Sequence, residues 1–145
     1  MKQFDNLKLS NQLCFPLYAC SKEIIRKYKP YLDKIDLTYT QYITMMVLWE
    51  ESKINVKTLG KRLFLDSGTL TPLLKKLENK GYIKRDRDSK DERNLIISIT
   101  SRGKELKNIA IDIPSSIGKC IGLDDKEMLD LYKLLYKILM YESNK

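Results

Sequence analysis

The sequence contains no histidine, so no imidazole is at hand to activate a thiol. Cysteine is scarce: three residues, at 14, 20 and 120, an odd number at spacings that fit neither a disulfide framework nor a zinc knuckle. They are expected to be reduced thiols at rest, with no metal or cofactor implied. No apolar run approaches the roughly 18 residues that span a bilayer. The stretch MKQFDNLKLS lacks the apolar centre of a signal peptide, so a cytoplasmic protein without a membrane partner is expected. Internal repeats and low-complexity segments are missing as well. A chain of 145 residues is long enough for one compact domain with its own core and too short for two ordinary ones.

What the chain has in excess is positive charge, a net +8, and the excess is localised. Residues 61–93 hold ten Lys/Arg against six Asp/Glu, whereas residues 104–145 hold seven against seven. A basic middle followed by a neutral, apolar-rich tail suits a nucleic-acid reader joined to an oligomerisation element. Lysines that merely solubilise a surface would not leave the tail balanced.

Periodicity divides the chain into helices around one hairpin. Leu13, Leu17, Ile24 and Tyr28 recur at helical spacing, which predicts an amphipathic first helix capped at Ser10 and ending before Pro30. Pro16 complicates its start: either this helix begins later than Ser10 or its first turn is distorted. Thr38 to Gln41 has the form of a capping box, and behind it Tyr42, Ile43, Met46, Val47 and Trp49 mark the expected buried face of a second helix. Asn55 is the expected cap of a short third helix carrying Val56, Leu59 and Leu63, and residues 64–68 form a turn. From Thr69 a fourth helix puts Leu70, Leu73, Leu74 and Leu77 on one face, with Pro72 expected in its first turn and Gly81 as its stop. Two short helices joined by a Gly-containing turn are a helix-turn-helix candidate. Residues 82–85 and 95–99 read as strands flanking a charged turn from Asp86 to Arg93, a two-stranded wing. Thr100 caps a long helix through Leu106, Ile109 and Ile113, interrupted near Pro114. A last helix with Met128, Leu131, Leu135 and Ile138 follows Asp124-Asp125. These terminal helices hold more apolar surface than one small domain needs.

Leu65-Asp66-Ser67-Gly68-Thr69-Leu70-Thr71-Pro72, continuing to Glu78, and the wing Asp88-Ser89-Lys90-Asp91-Glu92-Arg93 resemble the MarR family of transcriptional regulators. Leu13-Cys14-Phe15, Tyr28-Lys29-Pro30 and Leu37-Thr38-Tyr39 narrow the likeness to the OhrR branch of organic-peroxide sensors, and it covers nearly the whole chain. Staphylococcal single-cysteine regulators share most of these motifs. The resemblance implies a mainly α fold with a small β-hairpin wing, a winged helix-turn-helix in an intertwined homodimer. One MarR-type domain would span residues 1–145, with dimerisation through 5–30 and 104–145 and the winged helix-turn-helix at 36–100. Its function would be that of a repressor on a pseudo-palindromic duplex operator, the fourth helix of each subunit in a major groove and the wing along a minor groove.

Short hydroxyl side chains beside a helix start can meet phosphates and base edges, which singles out Ser67, Thr69 and Thr71 beyond plain capping. Lys75 and Lys76 are candidate phosphate contacts. Arg93 resembles the family's minor-groove arginine, oriented by Asp91. Cys14, near the start of the first helix, lies where the helix dipole favours a thiolate, the form that attacks peroxide. The resemblance adds hydroxyl donors to it: Tyr28, Tyr39 from the partner subunit, and Tyr18 one turn away. A buried, inert thiol is the plainer reading of a free cysteine, and only the matching tyrosine set reverses it. In relatives with two reactive cysteines a resolving thiol occupies a stretch like that around Cys120. Relatives without one form a mixed disulfide with a small thiol or over-oxidise. Cys20, on the same stripe as Leu17, is expected to be packing. Organic hydroperoxide is thus the expected inducer.

Other readings are a MarR-type repressor released by a small aromatic ligand with Cys14 structural, a thiol peroxidase, and an architectural DNA-binding protein. The peroxidase is disfavoured by the lack of a peroxidase motif and of an arginine near Cys14. An architectural protein has no need of thiol chemistry.

Overall fold

The computed structural model describes residues 3–143, so the outermost two residues of the expected domain at each end lie outside the described residues. Two 3-10 turns, Asp5–Leu7 and Leu9–Asn11, precede helix α1 (Cys14–Leu32). Ser10 therefore lies inside a turn and does not cap α1, which starts four residues later. This start makes Pro16 the third residue of the helix, where its missing N–H has no intrahelical partner to lose. At the other end the helix does not stop before Pro30 but runs through it. Burial of Leu32, and of Ile35 in the following 3-10 turn Asp33–Ile35, outweighs the hydrogen bond the proline removes. Asp36, in the left-handed region at φ 51°, then turns the chain.

Helix α2 (Tyr39–Glu51) starts on the expected capping box: the Thr38 hydroxyl accepts from the Gln41 N–H at 3.3 Å, and Gln41 Oε1 accepts from the Thr38 N–H at 3.0 Å. Its buried residues are Gln41, Tyr42, Thr44, Met45, Val47 and Leu48. Met46 is exposed, and Ile43 and Trp49 are half-buried, so the expected stripe is corrected. Because α2 meets α1, three other helices and the sheet, it is enclosed on several sides and no single stripe describes it. Trp49 keeps its indole N–H satisfied by donating to the Gly103 carbonyl at 2.9 Å.

Strand β1 (Lys53–Asn55) is the element that the sequence pattern did not announce, since three residues are too few to show a period. It joins β2 (Ile83–Arg87) and β3 (Leu95–Ile99) in an antiparallel sheet of order β1-β3-β2, with Ile97, fully buried, opposite both Ile54 and Arg85. Asn55 also caps α3 (Val56–Leu63), accepting from the Thr58 N–H at 2.7 Å.

Helix α4 (Ser67–Asn79) begins two residues before Thr69, because the Asp66 carboxylate accepts from the Thr69 N–H at 2.8 Å and caps the helix there. Pro72 is consequently its sixth residue, beyond the first turn. The four buried leucines at 70, 73, 74 and 77 hold the helix together across the lost bond. The α3–α4 turn is tight: a Cβ on Gly60 would lie 2.8 Å from the Leu65 carbonyl oxygen. Gly81, at φ 82°, stops α4 as expected.

Thr100 caps α5 (Ser101–Ala110), accepting from the Gly103 N–H at 3.1 Å and donating to the Gly81 carbonyl at 2.6 Å. The chain breaks into a separate α6 (Ile113–Gly118) with Pro114 in its first turn, and Ile109, expected inward, is exposed. Helix α7 (Asp125–Ser143) starts on a second reciprocal cap, Glu127 N–H to Asp124 Oδ1 at 2.8 Å and Asp124 N–H to Glu127 Oε2 at 3.0 Å. None of its described side chains is buried within the protomer. Leu129, Leu131, Leu134 and Ile138 are open, as are Leu13, Phe15 and Leu17 around the start of α1.

Candidate nucleic-acid interface and thiol site

The leucine stripe buries one face of α4 and leaves the opposite face polar. Ser67, Thr69, Thr71, Lys75 and Lys76 are all exposed there. The Thr71 hydroxyl donates to the Ser67 carbonyl at 2.8 Å, which fixes its rotamer while its oxygen stays available as an acceptor. Asp66 has its carboxyl held below the usual range by the Thr69 N–H it accepts.

The wing tip is closed by its own backbone, Asp88 N–H to Asn94 carbonyl at 2.9 Å and Asn94 N–H to Asp91 carbonyl at 3.0 Å. Within it Arg93 clasps Asp91 in a bidentate pair, Nε to Oδ1 at 3.0 Å and Nη2 to Oδ2 at 3.1 Å, and its backbone N–H adds a third bond at 3.1 Å. These bonds hold the Asp91 carboxyl below its ordinary value. The Arg93 side chain is nevertheless 91% exposed. A guanidinium fixed at its root and open at its tip is preorganised for an outside acceptor.

Cys14 is the first residue of α1 and its side chain is exposed, as are those of Cys20 and Cys120. Cys20 is thus not core packing in the protomer, because the Leu17 stripe on which it was expected to pack is itself open. Cys120, just beyond α6, donates its thiol to the Ser116 carbonyl at 3.3 Å. Tyr18, one turn past Cys14, is exposed with the Lys22 ammonium 5.2 Å from its ring centre.

Tyr28 and Tyr39 form one cluster. Their rings meet edge to face at 5.0 Å between centres, and Tyr42 lies 5.8 Å from Tyr28 and 6.2 Å from Trp49. Burial, and after it the neighbouring Tyr39 and Tyr42, together push the Tyr28 hydroxyl up to about 12, and burial raises Tyr39 too. Tyr28 follows Cys14 by fourteen helical residues, roughly 21 Å at 1.5 Å per residue. The expected split, with Tyr28 from the same chain as Cys14 and Tyr39 from the partner, is therefore corrected. Both tyrosines belong to one cluster within the protomer, away from the start of α1.

Spacing rules did not single out Lys57 and Lys61, which are exposed four residues apart on α3. They also missed Glu78 with Arg85, which meet across the Gly81 stop, where no helical or strand period applies. Among the described residues no helix is long and apolar enough to cross a membrane.

Residues 26–109 match the family profile described as transcriptional regulator SarA/Rot. The organic hydroperoxide resistance transcriptional regulator of Bacillus subtilis is 49% identical over 140 residues, 94% of this chain and 93% of that protein. The HTH-type transcriptional regulator SarZ of Staphylococcus aureus USA300 is 51% identical over 127 residues, 88% of this chain and 86% of that one. Among solved structures, reduced AbfR bound to DNA, a protein of Staphylococcus epidermidis, superposes with a TM-score of 0.79 at 34% identity, covering 97% of this chain and 98% of that chain. AbfR is also known overoxidized and bound to DNA, with a TM-score of 0.74 at 33% identity and coverage of 95% and 99%. Its disulfide form gives 0.67 at 33% identity and coverage of 93% and 95%.

Proposed function

The chain belongs to the MarR family of winged-helix transcriptional regulators, in its OhrR branch, and from that premise we propose that it is a dimeric DNA-binding repressor whose sensor is Cys14. The observation that carries this reading is the position of that thiol: first residue of a helix, exposed, with the apolar side chains at 13, 15 and 17, its neighbours in sequence, also open. A surface of that kind, together with the unburied face of α7, calls for a second copy. The second copy's Tyr28–Tyr39 pair joins Tyr18 of the same helix as the donor set, since the Tyr28 of the same chain lies far along α1.

Ser67, Thr69 and Thr71 read the major groove with Lys75 and Lys76 on phosphates, and Arg93, braced by Asp91, enters the minor groove. Two heads related by the dimer axis fix the spacing of half-sites on a pseudo-palindrome.

Cys14 thiolate attacks the distal oxygen of an organic hydroperoxide. The O–O bond breaks, an alcohol leaves after protonation, and the sulfur becomes a sulfenic acid. Condensation with a second thiol releases water and forms a disulfide. Cys120 of the other subunit is the candidate resolving thiol, and a small cellular thiol is the substitute. Because AbfR is known overoxidized on DNA as well as reduced on DNA, the disulfide is the releasing state of this reading and a higher sulfur oxide is not. Bringing two sulfurs to about 2 Å shifts α1 of one subunit against the α6–α7 connection of the other, and a small rotation of each head destroys their matched spacing.

The test is a gel shift on a duplex that the protein itself selects from a random pool, with and without cumene hydroperoxide, for the unaltered chain and Cys14→Ser. Release of the unaltered chain alone supports the reading. Release of both proteins transfers the switch away from Cys14, and release of neither by peroxide but of both by a small aromatic acid installs the ligand-responsive repressor instead.

A further inference from the structure

Lys80, the C-terminal cap of α4, reaches the corner between α1 and α2. Its ammonium donates to the Asp36 carbonyl, and Asp36 Oδ2 lies 3.4 Å from the same nitrogen. The Lys80 side chain is largely covered, at 28% exposure, whereas that of Asp36 is open. At φ 51° and ψ 48°, Asp36 holds the left-handed conformation that aspartate and asparagine tolerate better than most side chains. Backbone bonds close the corner, from the Asp36 N–H to the Asp33 carbonyl at 3.3 Å and from the Leu37 N–H to the Leu32 carbonyl at 3.1 Å. Two residues beyond Asp36, Thr38 caps α2, and Tyr39 is its first residue. One lysine thus joins the end of the recognition helix to the corner that carries Tyr39, whose ring meets that of Tyr28.

We propose that the Lys80–Asp36 contact is a strap that sets the recognition helix against the exit of the sensor helix, and that oxidation at Cys14 lowers DNA affinity by drawing this strap out of register. The inference rests on the DNA-binding and thiol-sensing reading above and names a residue that regulates it. The apolar side of the same joint, Leu32, Ile35 and Leu37, shares one buried core with the four leucines of α4. Apolar contact holds the joint together but is non-directional, whereas a charged donor on one particular carbonyl fixes its register. Cys14 opens α1 and Asp36 follows its 3-10 extension, so the two sit at opposite ends of a rod whose α-helical part alone is roughly 28 Å long at 1.5 Å per residue. A tilt of that rod at the thiol end displaces Asp36. On the other side α4 is tied to the wing through Glu78 and Arg85, so what moves the last turn of α4 moves helix and wing together. All three thiols are free in this structure, which assigns the strap to the reduced, DNA-reading conformer. Without it the reduced head samples the released setting as well.

The test compares DNA affinity before and after Cys14 oxidation, by fluorescence anisotropy of the full-length protein on its selected duplex. Variants are Lys80→Met, Lys80→Arg, Asp36→Asn and the double variant of Lys80→Met with Asp36→Asn. Asparagine is compatible with the left-handed corner, so Asp36→Asn keeps the backbone and removes only the carboxylate. With Cys14 reduced, Lys80→Met should bind about fivefold more weakly, the worth of one charged hydrogen bond of this kind. Its log–log salt slope should not change, because no phosphate contact is lost. Asp36→Asn should also weaken binding, by about twofold, although deleting an anion would by charge alone tighten it. It should add nothing in the Lys80→Met background, and Lys80→Arg should restore affinity. Once Cys14 is oxidised, every variant should bind as weakly as the oxidised unaltered chain, so the ratio of reduced to oxidised affinity narrows. A slope flattened by roughly 1.8 in Lys80→Met makes Lys80 a phosphate ligand and overturns the proposal. Unchanged or tighter binding by Asp36→Asn overturns it too, as does a Lys80→Met protein that loses thermal stability while both affinities stay the same. An unaltered chain that does not bind DNA, or that stays bound with Cys14 oxidised, overturns the sensor reading itself, and this is visible before any variant is compared.

Discussion

Arg85 on the wing strand holds Glu78 on the recognition helix by three hydrogen bonds: Nη2 to Oε1 at 2.9 Å, Nε to Oε1 at 3.1 Å, and the Arg85 backbone N–H to Oε2 at 3.0 Å. Both side chains are partly covered, so the pair ties β2 to α4 and makes helix and wing one reading head. The Arg85 side chain, more than its backbone N–H, keeps the Glu78 carboxyl below the usual glutamate value of 4.5. Stability from this pair is therefore complete above that value and is lost as pH falls through the lower folded-state value. Glu78→Gln should cost about 1 kcal/mol at neutral pH in a denaturant melt and should flatten the acid side of the stability profile. In a double-mutant cycle, Arg93→Ala should weaken DNA binding less in the Glu78→Gln background than alone. Strict additivity would mean that the pair does not aim the wing.

The tyrosine cluster carries an alkaline signature. With the Tyr28 hydroxyl near 12, the folded state holds its proton more tightly than the unfolded chain, whose tyrosines titrate near 10. The corresponding stability is intact below pH 10 and is lost between about 10 and 12. Ultraviolet titration of the nine tyrosines should show a late component that Tyr28→Phe removes. If all nine ionise together near 10 without unfolding, the cluster is not desolvated. Throughout the range below 10, Tyr28 is a hydrogen-bond donor, the state that a thiolate needs beside it.

Local chemistry made much of this fold readable from the residues alone. Thr38 with Gln41, Asn55, Gly81 and Thr100 each satisfy or end a helix through atoms within three residues, and the four leucines of α4 show a clean period. The misreadings come where the deciding partner is distant. Pro30 stays helical because Leu32 and Ile35 are buried by other elements, α2 is enclosed so widely that Met45 and Leu48 replace Met46, and β1 exists only by pairing with β3. At the site, the Arg93–Asp91 pair lay two residues apart and was legible. The separation of Cys14 from Tyr28 was overlooked, although fourteen helical residues between them already fix it.

Arg93→Ala and Lys75→Ala should each weaken DNA binding with the thermal midpoint unchanged, since both side chains are exposed. Lys75→Ala should also flatten the log–log salt slope by about 1.8 for two symmetric phosphate contacts. An unchanged slope would assign Lys75 to solvent.

Sedimentation at micromolar concentration should return twice the 17.0 kDa chain mass. Leu134→Lys, on the open face of α7, should shift the population towards monomer and weaken DNA affinity, because each half-site alone binds poorly. A folded monomer for the unaltered chain would contradict the assembly on which the sensor depends.

The central claim is that oxidation of Cys14 is what takes the protein off DNA, and a stoichiometric titration tests it most directly. Cumene hydroperoxide is added in fractional equivalents to the protein–DNA complex, release is followed by anisotropy, and the same samples are analysed by intact and peptide mass spectrometry. The account predicts that the fraction released tracks the fraction of Cys14 in a disulfide, that Cys120→Ser is released only when a small thiol is added, and that Cys14→Ser stays bound throughout. Release that runs ahead of Cys14 modification, or that persists in Cys14→Ser, would contradict it.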